Sequence, residues 1–146
     1  MTVFADSSVL VATYTDEPSG GVLASSSAVA VSALARVEVS SAFWRKHRLG
    51  ELDAEQALML SRRFERDLRG TTDGPPRYAI VGAGWAVLGE AAALAASAGL
   101  RAYDAMQLAS AMAARRAAPT IGSFACLDTR LRDAAAAHGF RLIPGS

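Results

Sequence analysis

Short β-like runs alternate with longer helical ones along this chain, and that alternation restricts the fold more than any other feature. Thr2 to Ala5 reads as a first strand, Val29 to Val31 as a second and Tyr78 to Val81 as a third. Thr120 to Leu127 reads as a fourth strand and Arg141 to Ile143 as a short fifth. Asp6 through Tyr14 looks helical, and a second short helix falls within Asp16 to Ser25. Further helices are expected from Ser32 to about Arg48, from Asp53 to about Arg69, over Trp85 to Ser97, from Arg101 to about Ala117, and over Thr129 to His138. Ser32 and Asp53 suit N-caps, because a short side-chain oxygen can accept a bond from an otherwise unpaired amide. Gly50, Gly99 and Gly139 are helix stops, and Gly-Pro-Pro within Gly70 to Pro76 marks a loop. Strands alternating with helices predict an α/β, three-layer fold with a mainly parallel sheet. No internal repeat or long linker divides the chain, so residues 1–146 are expected to form a single domain.

The charge balance excludes little. The formal net charge is +1, so no strong global field steers a partner, and Lys46 is the only lysine. Arginine favours planar partners such as phosphate and carboxylate, yet in an alanine-rich chain its dominance reads more simply as coding-sequence base composition. The single cysteine, Cys126, excludes an internal disulfide and a cysteine-based zinc site, and its apolar run predicts a buried core thiol. His47 and His138 stand near expected helix ends and read as structural. No segment has the continuous apolar length of a membrane span. The first residues lack a basic start followed by an apolar stretch and a cleavage site, so cytoplasmic residence is expected.

Four acids lie in otherwise apolar or small-residue runs. They are Val-Phe-Ala-Asp6-Ser-Ser-Val-Leu-Val, Leu-Ala-Arg-Val-Glu38-Val-Ser-Ser-Ala-Phe-Trp, Leu-Arg-Ala-Tyr-Asp104-Ala-Met-Gln-Leu-Ala and Phe-Ala-Cys-Leu-Asp128-Thr-Arg-Leu. Carboxylates are seldom buried without a partner, and burying an isolated charge is costly. Several acids in such settings imply a shared cation, and oxygen-only ligands favour a hard ion such as Mg²⁺ or Mn²⁺. Asp6 and Asp128 each follow an expected strand, and ligand sites of open α/β sheets lie beyond strand carboxyl ends. Glu38 shares a helix face with Leu34, Ala42 and Arg45, and Asp104 shares one with Leu108 and Ala111. Those partly apolar faces turn both acids inward. Any one acid taken alone could instead be an N-cap, a partner for Arg36 or Arg101, or a solvated helix residue. Glu90 also sits among apolar residues but lacks the strand-end context, and it is left out of the set.

These segments, in this order, resemble those of PIN-domain ribonucleases, most closely the VapC toxins of bacterial and archaeal toxin–antitoxin pairs. The carrying stretches are Phe-Ala-Asp6-Ser-Ser-Val-Leu, Ser32-Ala-Leu-Ala-Arg-Val-Glu38, Gly99-Leu-Arg-Ala-Tyr-Asp104-Ala-Met-Gln-Leu-Ala and Leu127-Asp128-Thr-Arg-Leu-Arg-Asp-Ala-Ala, which span nearly the whole chain. The resemblance implies a PIN-like three-layer α/β/α fold with a five-stranded sheet in the order 3-2-1-4-5. It implies Asp6, Glu38, Asp104 and Asp128 as catalytic and metal-binding residues, with Mg²⁺ or Mn²⁺ as cofactor and RNA as substrate. Asp6, Glu38 and Asp104 are assigned to the first ion, and Asp128 to a second ion or to action through water. The resemblance further implies a homodimer and a cognate VapB-like antitoxin. One departure stands out: the family often has threonine two residues before the fourth acid, where this chain has Cys126. Ser7 or Thr129 is then the candidate source of a supporting hydroxyl.

Arginines are the candidate grip on phosphate. Arg62, Arg66 and Arg69 align on one expected helix, and Arg45, Lys46 and Arg48 cluster on the preceding one, although a solvated helix face explains the first set equally well. The helices Asp6 to Tyr14 and Val37 to Trp44 are candidate walls of an antitoxin groove, with Phe43 and Trp44 as anchors or as core. Two other readings compete. Ile80-Val-Gly82-Ala-Gly84-Trp approaches a dinucleotide fingerprint, but its third glycine position is Val87, so a nucleotide-binding Rossmann-like module is the weaker alternative. A catalytically inactive PIN-like binding domain is the other.

Overall fold

The computed structural model describes residues 1–145. The strands are β1 (Thr2–Ala5), β2 (Ala28–Ser32), β3 (Ala79–Val81), β4 (Ile121–Ala125) and β5 (Arg141–Ile143). The helices are α1 (Ser7–Tyr14), α2 (Ala35–Arg48), α3 (Ala54–Arg69), α4 (Trp85–Ala98), α5 (Ala102–Ala117) and α6 (Thr129–Ala137). The expected short helix after α1 is a 3₁₀ segment, Pro18–Leu23. The five strands form one sheet in the order β3-β2-β1-β4-β5, and every pairing is parallel. The sheet is thus wholly, not mainly, parallel.

Parallel strands covered on both faces are apolar throughout, because both sets of alternating side chains are buried. In β1, Phe4 enters one core with Ala30 and Phe124, whereas Val3 and Ala5 enter the other with Val31 and Ala125. The first core packs under α4, α5 and α6 through Leu94, Leu108 and Leu131. The second packs under α1, α2 and α3 through Leu10, Phe43 and Phe64. Helices on both faces of one sheet make the three layers.

Local chemistry sets most helix ends. Asp53 caps α3 through a reciprocal pair with Gln56: the Gln56 amide donates to Asp53 Oδ1 at 2.7 Å, and the Asp53 amide donates to Gln56 Oε1 at 2.9 Å. Gly99 ends α4 in the left-handed region, at φ 64°. Ser32 is not the cap of α2. It ends β2, and α2 begins at Ala35 after a turn in which the Leu34 amide donates to Ser32 Oγ at 3.2 Å. The strand claimed Ser32 because its backbone pairs with Val81 of β3.

β1 lies at the centre, with β2 on one side and β4 on the other. That reversal of strand order opens a crevice at the carboxyl ends of β1 and β4, the usual ligand position in such sheets.

Candidate active site

Asp6 sits at the carboxyl end of β1 and is only 5% exposed. Its amide continues the ladder by donating to the Ala125 carbonyl at 3.0 Å. Its side chain caps α1: Oδ1 accepts from the Val9 amide at 3.3 Å and from Ser8 Oγ at 2.7 Å. Ser8 Oγ in turn accepts from the Leu127 amide at 3.3 Å, which ties the cap to the segment after β4. Burial raises the Asp6 pKa, bonds from Ser8, the Val9 amide and Cys126 oppose the rise, and the charge of Asp104 adds to it.

Glu38 lies in the first turn of α2 and is half-buried. Its Oε1 accepts from Gln107 Nε2 at 2.8 Å and from Ser7 Oγ at 3.1 Å. Gln107 Nε2 also donates to Ser7 Oγ at 3.0 Å, which closes a triangle across three helices. Burial raises the Glu38 pKa, the two hydrogen bonds lower it, and the charges of Asp6 and Asp104 raise it further.

Asp104 lies in the first turn of α5, half-buried. Burial raises its pKa first, then the charge of Asp128, and the Arg101 guanidinium opposes them. Asp128 caps α6, with Oδ1 accepting from the Leu131 amide at 3.2 Å. The four acids therefore stand near one edge of the sheet. Asp6, Glu38 and Asp104 act on one another, and Asp128 joins through Asp104. Among the described residues, none of the four enters a salt bridge. Nor is there, among those residues, a group of three or more His, Cys, Asp or Glu side chains that could hold a metal ion as they stand.

Cys126 follows β4, fully buried, with its thiol toward the Asp128 carbonyl at 3.6 Å. Burial and the nearby Asp6 charge push its pKa up, which keeps it a neutral thiol. The hydroxyls that the sequence placed at Ser7 or Thr129 come from Ser7 to Glu38 and from Ser8 to Asp6. Ser8 and Gln107 are the two site residues that the sequence reading missed. A hydroxyl two residues past an N-cap aspartate is a readable signal for the first. A neutral amide in the buried run after Asp104 is a readable signal for the second.

The arginine expectations divide. Lys46 is engaged by Glu17 at 2.7 Å and Glu51 at 3.3 Å, and Arg69 by Glu65 at 2.8 Å. Arg45, Arg48, Arg62 and Arg66 are exposed and make no salt bridge among the described residues. Phe43 is 0% exposed and belongs to the core, so it is no anchor for a partner. Trp44 instead borders a groove of about 620 Å³ between α2 and α3, with Val37, Arg36 and Arg62. His47 and His138 each bond a backbone carbonyl, of Leu52 at 3.0 Å and of Ala134 at 2.8 Å, which accords with structural roles. No helix of the described residues is long and apolar enough to cross a membrane.

Compared with known proteins, the chain matches no family model and no curated sequence.

Proposed function

We propose that this chain is a divalent-metal-dependent endoribonuclease, the toxin of a toxin–antitoxin pair. One observation carries the reading. At the carboxyl edge of a parallel sheet, one buried and two half-buried acids from separate elements act on one another's charge, with no salt bridge to offset them among the described residues. Such a cluster opposes folding unless protons or a cation neutralise it, and at neutral pH a cation is the more effective partner. Its donors are carboxylate oxygens, which suit Mg²⁺ or Mn²⁺. Asp6, Glu38 and Asp104 would hold the ion, with Asp128 at a second ion or acting through water. Bound there, such an ion supplies Lewis acidity at a scissile phosphate and activation of the attacking water.

The chain's own residues do the holding. Ser8 and the Val9 amide fix one oxygen of Asp6, and Ser7 with Gln107 fixes one oxygen of Glu38. The neutral, buried Cys126 thiol favours direct hydrolysis over a covalent thiolate route. Exposed Arg45, Arg48, Arg62 and Arg66 are the candidate contacts to RNA phosphates, which position a strand without selecting its sequence. The groove beside Trp44 is the candidate seat of a VapB-like antitoxin, and a homodimer is the expected assembly.

RNA cleavage by the purified chain in Mg²⁺ or Mn²⁺ is the test. We expect EDTA to silence it, and Asp6→Asn or Asp104→Asn to lower the rate at least about a hundred-fold with the circular-dichroism spectrum unchanged. Undiminished cleavage in chelator, or by both variants, sinks the reading.

A further inference from the structure

Gln107 is 2% exposed on a helix whose other buried residues are mostly small or apolar: Ala105, Met106, Leu108, Ala109, Ala111 and Ala114. A methionine would fill much the same space. What the glutamine adds is its amide, and only one half of that amide is used. Nε2 donates to Glu38 Oε1 at 2.8 Å and to Ser7 Oγ at 3.0 Å, while Oε1 is buried with no hydrogen-bond partner among the described residues. Turning the amide over would set its carbonyl oxygen against the Glu38 carboxylate, and both of these groups only accept. Glu38 therefore dictates the orientation, and the unpaired carbonyl is the cost of keeping the donor there. Ser7 adds a second donor to the same Glu38 oxygen at 3.1 Å. Among the described residues no hydrogen bond reaches the other oxygen, Oε2.

We propose that Gln107 is a positioning residue that turns Glu38 Oε1 into the protein and presents Oε2 to the divalent cation. This rests on the metal-dependent reading above and assigns a role to a residue three positions past Asp104. Groups that orient a metal ligand typically change metal affinity ten- to a hundred-fold when removed. Gln107 acts through Glu38, so its effect must vanish when Glu38 can no longer serve as a carboxylate ligand.

The experiment is a double-mutant cycle read by Mn²⁺ alone, using calorimetry or electron paramagnetic resonance of the free ion. Gln107→Leu, or Gln107→Met should leucine not fold, removes the unpaired oxygen together with the two hydrogen bonds from Nε2, and its circular-dichroism spectrum should match the parent's. It should weaken Mn²⁺ binding about ten-fold or more. In a Glu38→Gln background the same change should leave the remaining affinity unaltered. Ser110→Ala, on the same helix and also buried with no partner for its hydroxyl among the described residues, should leave Mn²⁺ affinity at the parental value. Parental affinity in a folded Gln107 variant, or equal losses in both backgrounds, overturns the proposal. A parent that binds no Mn²⁺ overturns it together with the metal reading. A parent that binds Mn²⁺ through this coupling but cuts no RNA removes the ribonuclease reading and upholds the role of Gln107.

Discussion

A carboxylate at the end of a central strand is held where water scarcely reaches, and Asp6 is in that position at 5% exposure. Its pKa is raised chiefly by burial, as are those of Glu38 and Asp104. The sign follows from linkage. A carboxyl with a higher pKa folded than unfolded binds its proton more tightly in the native state, so native stability falls as pH rises through the folded pKa. Metal-free protein is therefore expected to lose stability through these three groups as pH rises above about 4, the range in which unfolded carboxylates ionise. Asparagine also caps helices well, so Asp6→Asn keeps the cap of α1 while removing the charge. In EDTA, Asp6→Asn should melt above the parent at pH 7. The gap should close below about pH 4, where an unfolded aspartate is also protonated. Thermal melts at several pH values check this, and a variant melting lower than the parent at pH 7 would contradict it.

The path from α1 into β2 depends on a close approach between elements. The 3₁₀ segment Pro18–Leu23 folds back on α1 so closely that a Cβ at Gly20 would lie 2.4 Å from the Ala12 carbonyl oxygen and 2.7 Å from Thr13 Cα. Thr13 Oγ1 strengthens the contact by donating to the Gly20 carbonyl at 3.2 Å. A Cβ at Gly21 would meet nothing within 4 Å. Gly20→Ala should therefore destabilise the protein by about 2 kcal/mol, as overpacking of a tight contact does. Gly21→Ala should be neutral or slightly stabilising through the unfolded chain. Urea denaturation of the two variants side by side distinguishes them. Equal stabilities would mean that the segment can lift from α1 at little cost.

Across the whole molecule, the sheet order converts sequence distance into proximity. β1 and β4 are neighbours, so Asp6 and the segment leading to Asp128 share an edge. α2 and α5 begin at that same edge and bring Glu38 and Asp104 in their first turns. A cation held only by the assembled site stabilises the native state by mass action, by about 2.7 kcal/mol at a hundred times its Kd. For a chain of this size, saturating Mn²⁺ should raise the Tm by about 5–10 °C. Asp6→Asn should show little of that rise. Differential scanning fluorimetry provides the comparison, and equal shifts in parent and variant would place the ion elsewhere.

Much of the architecture was readable before folding. Short β-like runs marked all five strands, and Asp53, Gly50, Gly99 and Gly139 marked helix limits, because these signals arise from interactions within a few residues. The three-layer α/β arrangement was expected from the alternation of strands and helices, and the strand order only from the family resemblance; both are observed. Ser32 was misjudged because pairing with β3, a distant segment, outweighed its local capping preference. Phe43 was ambiguous for a similar reason: an aromatic on a helix face is anchor or core according to what packs against that face. Gln107 contacts Glu38 sixty-nine residues away, and Ser8 accepts from Leu127 across the sheet edge. Local patterning carries no record of such pairings, because they exist once β1 and β4 lie side by side and α5 is laid across them.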